Sequence, residues 1–325
     1  MIRVYAADEQ GRLHALEDGA DAVSRAVWVD LLTPTPTEEA TVETTLGVDV
    51  PTRAEMEEIE VSSRLYTQDT AAVMTMTLPT QSDTDEPEMA PVSFVLAGDR
   101  LITVRYHTPR AFETFVSRAN KAALGCRTGE GVLIALLETI VDRLADILER
   151  AGRDVDAISR EVFQQETPGR KAPRRDFRRV LSEIGRKGDL TSHIRDSLVS
   201  LKRLIGFLTQ LTSGSKSDKD LRARVKTLTR DTDSLLDHAS FLAQKTSFLL
   251  EATLGMINIE QNAIIKIFSV AAVIFLPPTL IASIYGMNFQ YMPELGWPFG
   301  YPLALALMVV SAILPYWYFK HRGWL

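Results

Sequence analysis

Charge is nearly absent from the C-terminal part of this 325-residue sequence. Between Lys266 and Lys320 the only charged residue is Glu294. Residues 1–263, by contrast, alternate polar and apolar side chains as soluble proteins do. An uncharged stretch of that length is not expected in a purely soluble protein.

The sequence also has few cysteines, and its net charge is negative rather than positive. The single cysteine, Cys126, excludes a disulfide framework within one chain. A formal net charge of −6 argues against a nucleic-acid partner, which requires a basic surface. No Walker or dinucleotide fingerprint, nucleophile–base pair or Cys/His cluster stands out, so we expect neither a nucleotide site nor an enzyme.

Two apolar segments, 264–285 and 301–319, are each close to the ~20 residues that a helix needs to cross a bilayer. Aromatic residues cluster at their ends, as in membrane interface belts. The connection FQYMPELGWPFG is too short for a domain, which indicates a hairpin. Two buried core helices are the alternative interpretation, and uncharged neighbouring spans of this length disfavour it.

The topology follows from the distribution of positive charge. Lys320 and Arg322 follow the second segment, whereas the connecting loop has no Lys or Arg. The positive-inside rule then predicts that both termini are cytoplasmic. The N-terminal sequence MIRVYAADEQGRL has no apolar run typical of a secretory signal, which agrees with a cytoplasmic N-terminal part.

Proline is absent between Pro173 and Pro277, and most of that stretch has helical periodicity. From about Ser217 one helix is predicted to continue into the first membrane segment. A seven-residue repeat runs along it, with mostly small residues four positions later: Leu221, Leu228, Leu235, Leu242, Leu249 and Met256, then Val225, Thr232, Ala239, Thr246 and Thr253. The repeat predicts helix packing but leaves the partner open between the same chain and a neighbouring subunit.

Two amphipathic helices, 130–166 and about 174–212, precede the long helix. The turn PGRKAPRR between them is basic. We interpret this cluster as a solvated helix tip rather than a nucleic-acid or lipid site; its residues are Arg170, Lys171, Arg174, Arg175, Arg178 and Arg179.

The N-terminal region mixes predicted strands and helices. Runs of β-forming residues fall at 1–7, 26–32, 71–78, 92–98 and 100–106. The last two form a predicted hairpin that turns at Gly98-Asp99. Thr35, with Glu38 and Glu39 in the following turn, predicts the start of a helix.

These patterns predict three parts. An α+β cytosolic domain covers 1–127, and a region of long helices and stalk covers 128–263. A two-helix transmembrane hairpin covers 264–325, with spans at 264–286 and 300–319, and the stalk helix is continuous with the first span.

The first span ends in Gly286-Met287-Asn288, and Met292-Pro293-Glu294-Leu295 follows in the loop. A GMN tripeptide at the outer end of the first of two C-terminal spans, with MPEL behind it, resembles the CorA family of magnesium transporters. The resemblance covers the whole chain and is greatest to the proteobacterial branch.

The resemblance implies a homopentamer in the cell inner membrane, with the first span of each subunit around one axis. It also implies transport of magnesium, cobalt and nickel, and closure by cytosolic magnesium. Since the sequence has no nucleotide motif, we expect the membrane potential to drive entry. No cofactor is implied beyond magnesium as transported and regulatory ion.

A pore for hydrated Mg²⁺ needs rings of neutral oxygens, because the ion gives up water reluctantly and must also be released. The predicted selectivity loop is Gly286, Met287 and Asn288. The predicted oxygen rings are Asn288, Thr279 and Asn262. The predicted constriction by dewetting involves Leu276, Phe268 and Ile265. By approximate placement in the family's pattern, the regulatory metal carboxylates are Asp69 and Glu251.

Each of these residues has a structural alternative. Thr279 can bond to a carbonyl one turn back, and Asn262 can cap or bridge helices. Leu276 and Phe268 can be ordinary packing, and Asn288 can be a turn former after glycine.

Two other functions compete with magnesium transport. One is the zinc-transporting branch of the same superfamily, whose members generally depart from GMN and MPEL. The other is a membrane-anchored signalling or scaffold protein, against which the Asn, Thr and Ser residues along one span argue.

Overall fold

The computed structural model describes residues 1–17, 19–81, 87–163, 176–213, 219–288, 290 and 292–324. Within them the chain divides into two compact units, Met1–Leu250 and Glu251–Leu325. The boundaries that we predict at 127/128 and 263/264 stay predictions. Of the basic cluster, Arg170, Lys171, Arg174 and Arg175 lie outside the described residues.

The N-terminal part of the first unit contains a seven-stranded sheet. Its strands are β1 (Ile2–Ala7), β2 (Leu13–Ala15), β3 (Trp28–Leu32), β4 (Leu65–Gln68), β5 (Ala71–Thr80), β6 (Glu88–Ala97) and β7 (Arg100–Arg105). The spatial order is β2-β1-β3-β7-β6-β5-β4. Only the central pair, β3 and β7, is parallel; the other neighbours are antiparallel.

The five predicted strands are all present, and the hairpin between β6 and β7 turns where expected. Ala97 pairs with Arg100, and Gly98 has a φ of 56°. That left-handed conformation is one that glycine adopts without a steric cost. The sequence analysis missed the edge strands β2 and β4, because runs of three and four residues are too short to show alternation.

Short helices cover one face of the sheet: α1 (Ala20–Arg25), α2 (Pro36–Leu46), α3 (Arg53–Glu57) and α4 (Val61–Arg64). The start of α2 is a capping box, in which the Glu38 backbone N–H donates to Thr35 Oγ1 and the Thr35 N–H donates to Glu38 Oε2. Thr35 is therefore the N-cap that its position in the sequence indicates.

The two faces of the sheet bury different side chains, as the alternation of a strand requires. Along β3, Val29 and Leu31 face a core with α1, α2 and α3, whereas Trp28 faces the long helices. The second core is the larger, and it includes α5 (Arg110–Lys121) with Phe112 and Phe115 beside Trp28.

A buried ion pair lies inside the larger core. The Arg105 guanidinium donates to both carboxylate oxygens of Asp30, at 3.0 and 2.8 Å. Thr103 Oγ1 also donates to Asp30, and the Trp28 indole N–H donates to Thr103. A buried charge needs such partners, so this network fixes the register of the parallel strands.

Three long helices follow: α6 (Gly129–Phe163), α7 (Phe177–Ser213) and α8 (Lys219–Tyr285). The helix α8 is continuous from the stalk through the first apolar segment, which confirms the predicted fold class. Ion pairs link the three helices within the first unit. Arg224 on α8 forms a two-pronged contact with Glu138 on α6, at 2.9 and 2.7 Å, and Lys202 on α7 pairs with Asp233 on α8 at 2.7 Å.

The heptad seam of α8 packs within its own chain. Leu228 and Leu242 are 2% exposed, and Thr232 and Ala239 are fully buried. A Cβ added at Gly152 on α6 would lie 3.7 Å from Leu242. Of the two partners that the repeat left open, the structure thus places helices of the same chain against this seam.

The second unit contains the membrane end of α8, a short 3₁₀ turn (Pro293–Gly296) and α9 (Gly300–His321). Both α8 and α9 are long and apolar enough to cross a bilayer, and only 6% of each apolar window is buried in the chain. A core helix of a soluble protein would bury most of its apolar surface. The structure therefore favours membrane spans over buried core helices.

Candidate functional site

The first span of α8 has a shielded stripe and an exposed face. Within 264–285 the stripe recurs at intervals of three and four residues, which is the spacing of one side of a helix. Its members are Lys266, Val270, Ala271, Ile274, Pro277, Pro278, Ile281 and Tyr285. The Nζ of Lys266 lies 5.1 Å from the centre of the Trp324 ring beyond α9, so the stripe faces the second span.

The predicted pore-lining residues all belong to the exposed face. In one chain Ile265, Phe268 and Leu276 are 52%, 71% and 65% exposed, and Asn262 and Thr279 are exposed too. At about 100° per residue, their mean direction is about 170° from the shielded stripe. The structure thus brings the five residues to one face, nearly opposite the second span.

Thr279 makes the hydrogen bond that the structural alternative proposes. Its hydroxyl donates to the Phe275 carbonyl at 2.7 Å. The donor of the hydroxyl is thereby used, and its oxygen retains lone pairs as an acceptor. Back-bonding therefore does not exclude an oxygen ring at this level. It orients the hydroxyl oxygen as an acceptor only.

Pro277 and Pro278 lie inside α8, and Pro278 directly precedes Thr279. Neither has an N–H to donate to the carbonyl four residues back, which belongs to Val273 and Ile274 respectively. The helix nevertheless continues to Tyr285. The double proline thus concentrates carbonyl groups without helical donors near the middle of the span.

The GMN residues terminate α8. The Gly286 N–H donates to the Ala282 carbonyl at 2.9 Å, and the Met287 N–H donates to the Ile284 carbonyl at 3.3 Å. A Cβ at Gly286 would approach the Ala282 oxygen to 3.1 Å, so this position favours glycine. Asn288 follows outside the helix and is exposed. The structure therefore places the Asn288 carboxamide at the very end of the span.

The regulatory candidates lie in different units. Asp69 is in the β4–β5 turn with a φ of 50°, and Glu251 is an exposed residue of α8. Aspartate adopts this left-handed conformation more readily than most residues. Among the residues that the structure describes, no group of three His, Cys, Asp or Glu side chains could hold a metal ion. A regulatory role for Asp69 and Glu251 stays a prediction.

Sequence and structure comparisons agree on one family. Residues 24–321 match the family model described as CorA-like Mg²⁺ transporter protein. The chain belongs to the CorA-like Mg²⁺ transporter family. It is 38% identical to the magnesium transport protein CorA of Pasteurella multocida (strain Pm70) over 327 residues, which is all of both chains. It is also 38% identical to the protein of that name from Yersinia pseudotuberculosis serotype I (strain IP32953), over 97% of each chain.

A solved structure has the same fold along the whole chain. The CorA magnesium transporter of Methanocaldococcus jannaschii matches with a TM-score of 0.75 at 19% identity, over 100% of this chain and 99% of the other. The resemblance drawn from GMN and MPEL is thereby confirmed at the level of the family. The names of the relatives also agree with the expectation that the CorA-like chain is not an enzyme.

One feature of the membrane unit escaped the sequence analysis. It is the contact of Lys266 with Trp324. Lys266 and Trp324 are 58 positions apart in the sequence, so no local pattern connects them. The hairpin topology that we predict does place the two residues on the same side of the membrane.

Proposed function

We propose that this CorA-like chain assembles as a homopentamer and conducts hydrated Mg²⁺ through a pore lined by the first membrane helix. Cobalt and nickel would share the pathway. The observation that carries the proposal is the position of the candidate residues. They occupy the exposed face of α8, nearly opposite the stripe shielded by the second span.

The exposed face of α8 is not covered by the described residues of its own chain, so another subunit would have to cover it. In a cyclic oligomer every exposed residue of one subunit becomes a ring. Asn262, Thr279 and Asn288 would supply neutral oxygen rings, which accept hydrogen bonds from the waters of Mg²⁺ without stripping them. The second span would then lie toward lipid, which suits its apolar and largely exposed surface.

The pore would close by dewetting where apolar side chains from all subunits narrow it. These side chains are Leu276, Phe268 and Ile265. Magnesium bound at Asp69 and Glu251 on the cytosolic side would favour that closed state. In the absence of a nucleotide motif in the sequence, the membrane potential would drive entry, at about 4.6 kcal/mol per 100 mV for a divalent ion. Both termini would be cytoplasmic and the chain would lie in the inner membrane.

The test is ion flux into liposomes that contain the purified full-length protein, with protein-free liposomes as the control. Mg²⁺, Co²⁺, Ni²⁺ and Zn²⁺ are compared with and without an inside-negative potassium diffusion potential. We expect Mg²⁺ entry that the potential accelerates, and a particle mass near five times the 36.2 kDa of one chain.

Other results would select the competing functions. Faster Zn²⁺ than Mg²⁺ entry would favour the zinc-transporting branch. A correctly assembled protein that passes none of the four ions would favour a membrane-anchored scaffold.

A further inference from the structure

The tail after α9 folds back onto its own helix. The Trp324 N–H donates to the Phe319 carbonyl at 3.0 Å, and the Gly323 N–H donates to the Lys320 carbonyl at 3.2 Å. Gly323 has a φ of 68°. These features make a Schellman motif, and the apolar contact that accompanies it is the stacking of Trp324 on Phe319, with centroids 5.3 Å apart. Trp324 is therefore held in a defined position.

The same indole contacts the other helix of the hairpin. The Nζ of Lys266 lies 5.1 Å from the centre of the Trp324 ring. Lys266 stands at the start of the first span, and Trp324 stands just beyond the end of the second. The cation–π contact thus holds the ammonium group beside the end of α9.

Two more cations belong to the end of α9, each beside an aromatic ring. The Nζ of Lys320 is 5.9 Å from the Tyr316 ring centre, and the Arg322 guanidinium is 5.6 Å from that of Tyr318. Both cations are exposed. The two tyrosine rings limit the directions of the Lys320 and Arg322 side chains, but a tyrosine ring carries no net charge that could neutralise them. Lys266 contacts Trp324, and Lys320 and Arg322 lie within four residues of that tryptophan, so we call this end of the hairpin the cationic corner.

No carboxylate of the described residues pairs with any of these three cations. The preceding acid in the sequence, Glu260, is six residues before Lys266, and Glu294 belongs to the loop at the other end of the hairpin. The negative end of the α9 dipole favours cations here but supplies only about half a charge. Among the residues that the structure describes, these three cations therefore have no carboxylate counter-ion.

We propose that this corner binds the phosphodiester of an anionic phospholipid such as phosphatidylglycerol. The guanidinium of Arg322 offers paired donors that match phosphate oxygens, and the two lysines add point charges. The Trp324 ring suits the headgroup level of a bilayer, where one side of a residue is apolar and the other is wet. Free phosphate offers similar anionic oxygens but lacks acyl chains to contact the adjoining apolar spans.

Native mass spectrometry of the full-length protein tests the site. The protein is released from vesicles that mix phosphatidylglycerol and phosphatidylcholine, and the ratio of the two lipids bound per protein is measured. We expect wild type to enrich phosphatidylglycerol, and each of Lys266→Gln, Lys320→Gln and Arg322→Gln to reduce the enrichment about five-fold, from ~1 kcal/mol per basic residue at an anionic surface.

Matched variants separate this site from general electrostatics and from misfolding. Lys266→Arg should retain the enrichment, and so should Lys226→Gln, which removes an exposed cation forty residues earlier on α8. Equal enrichment in Lys266→Gln and Lys266→Arg would overturn the proposal, and so would an equal loss in Lys226→Gln. Displacement of phosphatidylglycerol by inorganic phosphate would overturn the assignment to a lipid and indicate a free-anion site.

Discussion

The hydroxyl of Thr279 donates a hydrogen bond to the carbonyl oxygen of Phe275, one turn earlier in the first membrane helix, at 2.7 Å. This bond uses the only donor of the side chain and leaves its oxygen as an acceptor on the exposed face of α8. In an oligomer, that oxygen would face the waters of a passing ion.

The back-bonded hydroxyl gives a substitution test. Thr279→Val keeps the shape of the side chain and removes the oxygen, so we expect Mg²⁺ flux to fall several-fold. Thr279→Ser keeps the oxygen and should stay near wild type. Thr227→Val is the matched control, because Thr227 is exposed on the same helix and makes the same bond to Ala223. Liposome flux is the measurement. Equal flux in Thr279→Val and wild type would leave Thr279 a purely structural residue.

Leu276 tests the proposed constriction. It is 65% exposed in one chain and lies on the same face as Thr279. Leu276→Asn should raise flux at high internal Mg²⁺, because a polar ring favours a wetted pore. Ile267→Asn is the control. Ile267 is also 65% exposed, and nine residues place it half a turn around the helix axis from Leu276. If both variants close normally while assembled, Leu276 has no gating role.

A labelling test of the membrane topology requires introduced cysteines, because the native Cys126 is fully buried. Burial also raises the pKa of its thiol to about 11. A neutral, enclosed thiol should react only after denaturation, on either side of the membrane. We therefore propose Lys121→Cys, on an exposed position of α5, and Gly296→Cys, where an added Cβ meets no atom within 4 Å.

An impermeant maleimide applied to intact cells should label Gly296→Cys, while Lys121→Cys should require permeabilisation. The native Cys126 serves as an internal control that stays unlabelled in both. The reverse pattern of labelling would mean that the loop, rather than the N-terminal unit, is cytoplasmic.

The structure also predicts a loss of stability in acid. Burial, and then the charge of Arg105, lower the pKa of His107 from 6.5 to about 4. Between these values the unfolded chain binds a proton that the folded chain does not, so stability is retained above pH 6.5 and falls as the pH decreases toward 4. The loss is on the order of 3 kcal/mol at most.

Thermal unfolding in detergent as a function of pH measures this effect. His107→Gln should flatten the dependence of the unfolding midpoint on pH in that range, whatever its effect on the midpoint itself. His14→Gln, at an exposed position, should keep the wild-type slope. An unchanged slope in His107→Gln would show that another group controls acid unfolding.

Most of the fold was predictable because the sequence patterns that specify its strands and helices involve neighbouring residues. The alternation of residues 26–32, the Thr35–Glu38 pair and the proline-free stretch before Pro277 each reflect neighbours in sequence. The GMN and MPEL residues, at the end of an uncharged span, gave the family.

The rest depended on packing between distant residues. The heptad repeat showed that α8 packs against helices, but only the structure revealed that α6 and α7 of the same chain are present there. Likewise, the exposure of Asn262 and Leu276 and the burial of Cys126 come from which elements meet in three dimensions.

Magnesium uptake by the Asn288→Ala variant, in cells that lack other magnesium transporters, tests the central claim most directly. Gln290→Ala is the matched control, since Gln290 is an exposed carboxamide two residues later. The substitution at Asn288 removes the whole oxygen ring but lies outside α8, so assembly should be normal by size-exclusion chromatography. We predict that uptake is nearly abolished in Asn288→Ala and retained in Gln290→Ala. Wild-type uptake by assembled Asn288→Ala would contradict the account and leave Asn288 a turn-forming residue.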